Sequence, residues 1–217
     1  MMEKHIELAL QNIVKYGDTD IFPFPIESHV FHDKKPESTA LLHDMHRNYW
    51  ELVESAPPVN INTCSPAGYT GFRWATQIDP AWNAYFLSQV LSIAETIEAS
   101  RIPVERKVVH SYRFSPELES GQLFEQTVNW SSFQQESLRI IKEESDNYVV
   151  VCDVADYYSR LYHHRLDNAL RRLQVAGDAP ARIIKLLQKF SNTVSYGLPI
   201  GGPAARIAGF RDAAGEP

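Results

Sequence analysis

Val149-Val150-Val151-Cys152 is a short apolar run, mostly β-branched, that ends in the acid Asp153. Bounded by polar residues, such a run predicts a buried strand. The strand would carry Asp153 to its C-terminal end, where catalytic groups collect in open α/β sheets. Two tyrosines follow, and the second, Tyr158, stands five residues beyond the acid. Farther along, Tyr196-Gly197-Leu198-Pro199-Ile200-Gly201-Gly202-Pro203 predicts a rigid turn hinged on glycine.

Most of the remaining pattern is helical. Ile6, Ala9, Leu10 and Ile13 share one face of a helix over 3–15, which Gly17 stops. Residues 17–27, with Asp-Thr-Asp and two prolines, predict an extended, structured loop. A helix over 37–55 turns Leu41, Leu42, Met45, Tyr49, Leu52 and Val53 inward and stops at Pro57-Pro58. Residues 59–78 read as turns and short extended pieces around Gly68 and Gly71. Asp79-Pro80 predicts an N-cap with proline at the first helical position. The helix that follows, to about residue 100, buries Ala84, Leu87, Leu91, Ala94 and Ile97. A strand over 104–114 is expected to pair with one over 123–128. Ser131 and Gln134 fit a capping box for a helix to about residue 144. Helices over 164–173 and 180–195 come after the Asp153 strand. The expected fold class is mixed α/β (α+β) and helix-rich.

The chain has 217 residues, 44% hydrophobic and 22% charged, as ordinary soluble globular proteins do. Its longest apolar run is about five residues, too short to span a bilayer. The start lacks the apolar core of a signal peptide. Cys64 and Cys152 lie far apart, and Cys152 sits in the expected buried strand, so reduced thiols and a cytoplasmic location are expected. The net charge is −6, yet residues 160–217 hold 9 Lys+Arg against 4 Asp+Glu. A basic C-terminal third can face phosphates although the whole is acidic; a solvated basic face is the plainer reading.

Asp153-Val154-Ala155-Asp156-Tyr157-Tyr158 resembles the first catalytic motif of reverse transcriptases, and Gly197 to Arg206 resembles the next, which supports template and incoming nucleotide. Tyr162-His163-His164-Arg165-Leu166 is similar to bacterial reverse transcriptases of the antiphage-defence kind. So are the blocks at 17–23, 71–77, 79–83 and 111–113. The resemblance covers about residues 5–207. It implies an RNA-directed DNA polymerase of right-hand fold, with N-terminal extension and fingers over 1–145, partial palm over 146–207 and an irregular tail over 208–217.

Nucleotidyl transfer is in-line displacement at phosphorus, where two divalent cations can hold the attacking and leaving oxygens. Asp153, with the carbonyl of Val154, is then the expected ligand for Mg²⁺, which favours hard oxygen donors. The resemblance makes Tyr158 the ring beneath the incoming sugar, and Gly197, Leu198, Pro199, Gly201 and Gly202 the support for template and nucleotide. Arg113 is the candidate grip on the triphosphate of a dNTP, with Lys107 and Arg106 as rivals. Read without the resemblance, Asp153 is a strand-ending turn residue, Tyr158 a core ring and Arg113 a solvated strand arginine. Adjacent His163 and His164 point about 100° apart on a helix and so do not chelate one ion comfortably.

Family members continue into a hairpin with paired aspartates and then a thumb, and this sequence has no Asp-Asp pair. The resemblance therefore implies fingers and an incomplete palm, inactive alone, with an incomplete two-metal Mg²⁺ site. The implied partners are an RNA or DNA template-primer and dNTPs, no membrane, with an associated RNA and an oligomer left open. The alternative is a non-catalytic nucleic-acid-binding or protein-interaction module.

Overall fold

The computed structural model describes residues 2–19, 27–67, 71–143, 148–192 and 194–213. Residues 20–26 of the expected proline loop, residues 68–70 of the expected turn and the last four residues lie outside them. The architecture is mixed α and β, helix-rich, with two small antiparallel sheets. Among the described residues no helix is long and apolar enough to cross a membrane.

Helix α1 (Met2–Tyr16) buries the predicted Ile6, Ala9, Leu10 and Ile13. Helix α2 (Glu27–Asp33) follows. The helix expected over 37–55 is two: α3 (Lys35–Arg47) and α4 (Tyr49–Ser55). They part at Asn48, whose φ of −103° and ψ of 18° leave the helical well. Leu41, expected inside, is exposed. Residues 59–78 form more than scattered extended pieces. Strands β1 (Asn60–Ala67) and β2 (Gly71–Ile78) pair from Asn60 with Ile78 to Ala67 with Gly71.

Helix α5 (Pro80–Ala99) starts as predicted, with the Asp79 carboxylate accepting from the N–H groups of Ala81 and Trp82 at 3.1 Å. Thirteen of its 20 residues are buried, all five predicted ones among them. A helix apolar on most sides belongs at the centre of a core. Helices α1 and α3 pack on it, as do α8 (Ala179–Phe190) and α9 (Pro203–Ala213). Helix α7 (His163–Arg172) packs on α8 and α9.

The apolar run at 149–153 is not a buried strand. Val149, Val150 and Val151 are 57%, 80% and 90% exposed in an irregular segment, and Cys152 and Asp153 are exposed with them. Both described sheets are two-stranded hairpins that do not include this segment. β-branching favours a pleated surface only where a neighbour supplies one. The strand expected over 104–114 starts only at Phe114, because Lys107 and Tyr112 adopt left-handed φ of 49° and 47°. Strands β3 (Phe114–Glu117) and β4 (Gln122–Phe124) form the second hairpin. β4 stops early because the Glu125 carboxylate turns back to accept from the N–H and hydroxyl of Thr127.

Helix α6 (Trp130–Glu143) is capped by Asn129, which exchanges hydrogen bonds with Ser132, rather than by Ser131. Every residue of α6 is exposed or half-buried. Helix α8 ends at Phe190, five residues before the expected stop. The stretch from 208 is helical to Ala213 instead of irregular: Pro203 opens α9, and Ala204, Ala205, Ile207 and Ala208 are buried.

Candidate functional site

The segment after the first motif and the glycine–proline bend meet. Leu198 N–H donates to the Tyr158 carbonyl and Gly197 N–H to the Leu161 carbonyl, both at 2.8 Å. Tyr162 and Tyr196 form an isolated antiparallel bridge between them. Gly197 sits at φ 100°, a conformation that side chains rarely adopt. Strand β2 joins from the other side. Thr76 N–H donates to the Ile200 carbonyl at 3.3 Å, and Ile200 N–H to the Thr76 hydroxyl at 3.4 Å. Asn60 on β1 donates to the Phe190 carbonyl at the end of α8.

These contacts surround an open cleft of about 890 Å³. Its floor is Asp156 to Ser159 together with Gly197 to Ile200. Phe190, Ser191, Val194 and Tyr196 line another side. The remaining wall is one face of the hairpin, with Phe72, Trp74 and Thr76 at alternate positions and Asn62 opposite Thr76. Phe72 and Trp74 are 75% and 64% exposed, so two large rings stand open to solvent. The Arg73 side chain between them lies outside the described ones.

The expected site residues divide. Tyr158 lines the cleft, half-buried, its ring edge-on to Tyr157 at 5.3 Å. Gly197, Leu198 and Pro199 line it too. Gly201, at φ 111°, and Gly202 turn the chain away into α9, and a Cβ on Gly202 would meet the Asp18 carbonyl at 3.3 Å. The 17–19 block thus packs behind the bend, where Asn83 also reaches Asp18.

Asp153 and Val154 are exposed, and the first motif's share of the cleft lining starts at Asp156. Asp156, at φ 56° and paired with Arg160 at 3.4 Å, is the carboxylate on the rim. A two-ion site needs carboxylates converging on ions about 4 Å apart. The described residues gather no cluster of three His, Cys, Asp or Glu. Asp153 and Val154, the expected Mg²⁺ ligands, stand outside the cleft lining.

Arg113 is not a free phosphate grip. It is buried, its Nη2 lies 2.6 Å from Glu98 Oε1, and its Nη1 donates to the Ile102 carbonyl at 2.8 Å. The same Glu98 receives Arg101 at 2.9 Å. Burial, more than any neighbouring charge, lowers the Arg101 pKa. Lys107 is exposed, 3.7 Å from Glu136, and lies outside the cleft lining. Two guanidiniums on one carboxylate organise the chain from α5 into β3. A sequence pattern does not separate a buried ionic strut from a ligand-facing arginine.

Sequence reasoning missed Asn62, Phe72, Trp74, Thr76, Phe190 and Tyr196 as cleft residues. The alternation of Phe72, Trp74 and Thr76 was the available signal. No protein-family model matches the chain, and neither a curated protein nor a solved structure matches it significantly.

Proposed function

We propose that this chain is the fingers and part of the palm of a reverse-transcriptase-type polymerase, divided near residue 145, and that the cleft receives a nucleic-acid strand and an incoming nucleotide. The observation that carries the reading is the meeting of two motifs separated in sequence. The Tyr158 segment and the 197–200 bend are hydrogen-bonded to one another, and the bend is hydrogen-bonded to the hairpin. The cleft between them has exposed rings suited to base stacking. Tyr158 on the cleft floor supports its reading as the ring beneath the incoming sugar. Phe72 and Trp74 add a stacking wall, and the excess of Lys and Arg over residues 160–217 favours a phosphate-bearing partner.

Primer extension on an RNA template with Mg²⁺ and dNTPs tests the proposal. Templated product from the wild type, lost in Asp153→Ala, supports the full catalytic reading. The companion variant Asp156→Asn shows whether the rim carboxylate shares the work. Absence of both extension and RNA binding by the wild type sinks the proposal.

One observation favours a second reading, a non-catalytic nucleic-acid-binding module. Asp153 stands in an exposed irregular segment, outside the cleft lining. RNA binding without extension, unchanged in Asp153→Asn, would select it.

A further inference from the structure

We propose that His163 is a positioning residue whose imidazole latches the Gly197 carbonyl and so holds the 197–200 lip of the cleft against Tyr158. What the lip receives rests on the polymerase-type reading; the latch itself does not.

His163 is the first residue of α7 and is 3% exposed. It grips the segment before the bend twice. Its backbone N–H donates to the Ser195 carbonyl at 2.9 Å, and its Nε2 lies 2.7 Å from the Gly197 carbonyl. A carbonyl only accepts, so Nε2 carries the proton. The Tyr162–Tyr196 bridge lies beside both grips. The neighbouring bonds of the lip, from Gly197 to Leu161 and from Leu198 to Tyr158, are made by backbone groups that any sequence would keep. The imidazole is the side-chain contribution at Gly197, as the Thr76 hydroxyl is at Ile200.

Its other nitrogen explains why this is more than filling. Nδ1 is buried and has no hydrogen-bond partner. A leucine or phenylalanine would occupy the volume without stranding an acceptor, and buried polar atoms left unpaired are costly. Retaining imidazole there makes sense if the Nε2 donor is needed at Gly197. Burial lowers the pKa of the ring, opposed by its bond to Gly197, which favours the neutral form with Nε2–H. Gly197 sits at φ 100°, a conformation that side chains rarely adopt, and its carbonyl is the group the ring holds.

Amide hydrogen exchange on the full chain tests the latch. His163→Phe keeps the bulk and removes the donor. His163→Gln places an amide nitrogen near the reach of Nε2. The expected result is exchange about tenfold faster at Gly197 and Leu198 in H163F, with α1 and α5 unchanged, and protection restored in H163Q. Unchanged exchange at the lip, acceleration spread equally over α1 and α5, or no rescue by H163Q would each overturn the proposal. Where H163F fails to fold, His163→Asn, whose amide stops short of Gly197, supplies the same comparison. Titration with labelled single-stranded RNA is read separately. Binding weakened in H163F and recovered in H163Q shows that the lip serves the ligand. No binding by the wild type sinks the polymerase reading, while the exchange data still decide the latch.

Discussion

Arg182 is 8% exposed, yet its Nη1 donates to the Tyr85 hydroxyl at 2.7 Å and the His46 carbonyl at 2.8 Å, and its Nε lies 2.8 Å from Asp178. Its guanidinium also stands 4.8 Å over the Tyr49 ring, and the Tyr49 hydroxyl donates back to the Arg182 carbonyl. Burial pushes the Tyr85 phenol up to about 12, against the pull of Arg182. One side chain therefore ties α3, α4 and α5 to α8. Arg182→Met leaves the Tyr85 hydroxyl with His46 Nδ1 alone and takes the donor from the His46 carbonyl and the partner from Asp178, so it should cost about 3 kcal/mol in urea unfolding; a loss near zero would show the network to be idle. Of three histidines with lowered pKa values, His163 is buried and His5 and His46 are half-buried. Burial is the leading cause of the lowered pKa at His5, His46 and His163. Lowered folded values mean that unfolding takes up protons below the ordinary histidine value of about 6.5. Stability should be full above that pH, fall as pH drops towards the folded values, and level off beneath them. Thermal unfolding between pH 7.5 and 5 reads this directly, and a rise in melting temperature on acidification would contradict it.

At the scale of elements, a central helix and an unpaired segment make opposite demands. Leu87 on α5 is 1% exposed, whereas Val150 is 80% exposed. Leu87→Ala should therefore cost about 2–5 kcal/mol by cavity formation. Val150→Ser should change stability by no more than about 0.5 kcal/mol. Denaturant midpoints of the two variants check this. A Val150→Ser loss like that of Leu87→Ala would restore the buried strand that the local pattern suggested. Helix α6 is amphipathic, with Trp130, Phe133, Leu138, Ile140 and Ile141 exposed on a helix that carries the Arg139–Glu136 ion pair. Its start is a local matter, settled by Asn129 and Ser132.

Across the whole molecule, one core runs from α1 through α5 to α8 and α9, and the cleft opens where the hairpin, the end of α8 and the bend meet. Charge is divided along the chain rather than spread evenly, with the excess of Lys and Arg in residues 160–217. If that third meets phosphates, labelled RNA should bind more weakly as salt rises, with a log–log slope of about −0.7 for each phosphate contacted. Binding that ignores salt would favour a protein partner. Much was legible in the residues themselves. The faces of α1 and α5, the Asp79 cap and the bend at Gly197 follow from periodicity, capping chemistry and glycine's freedom, which are local properties. The exposure of Val149–Val151, the Arg113–Glu98 pair and the Phe72–Trp74 wall were not legible, because each depends on what stands opposite. A β-branched run becomes a strand only beside a neighbouring strand, and an arginine binds a ligand only if no carboxylate such as Glu98 has claimed it. Alternating rings line a cleft only when a second wall faces them. The sequence alone determined the buried faces of α1 and α5, the Asp79 cap and the bend at Gly197. The tertiary structure decided which polar groups were already partnered and which surfaces remained open, since burial and pairing arise between segments far apart in the chain.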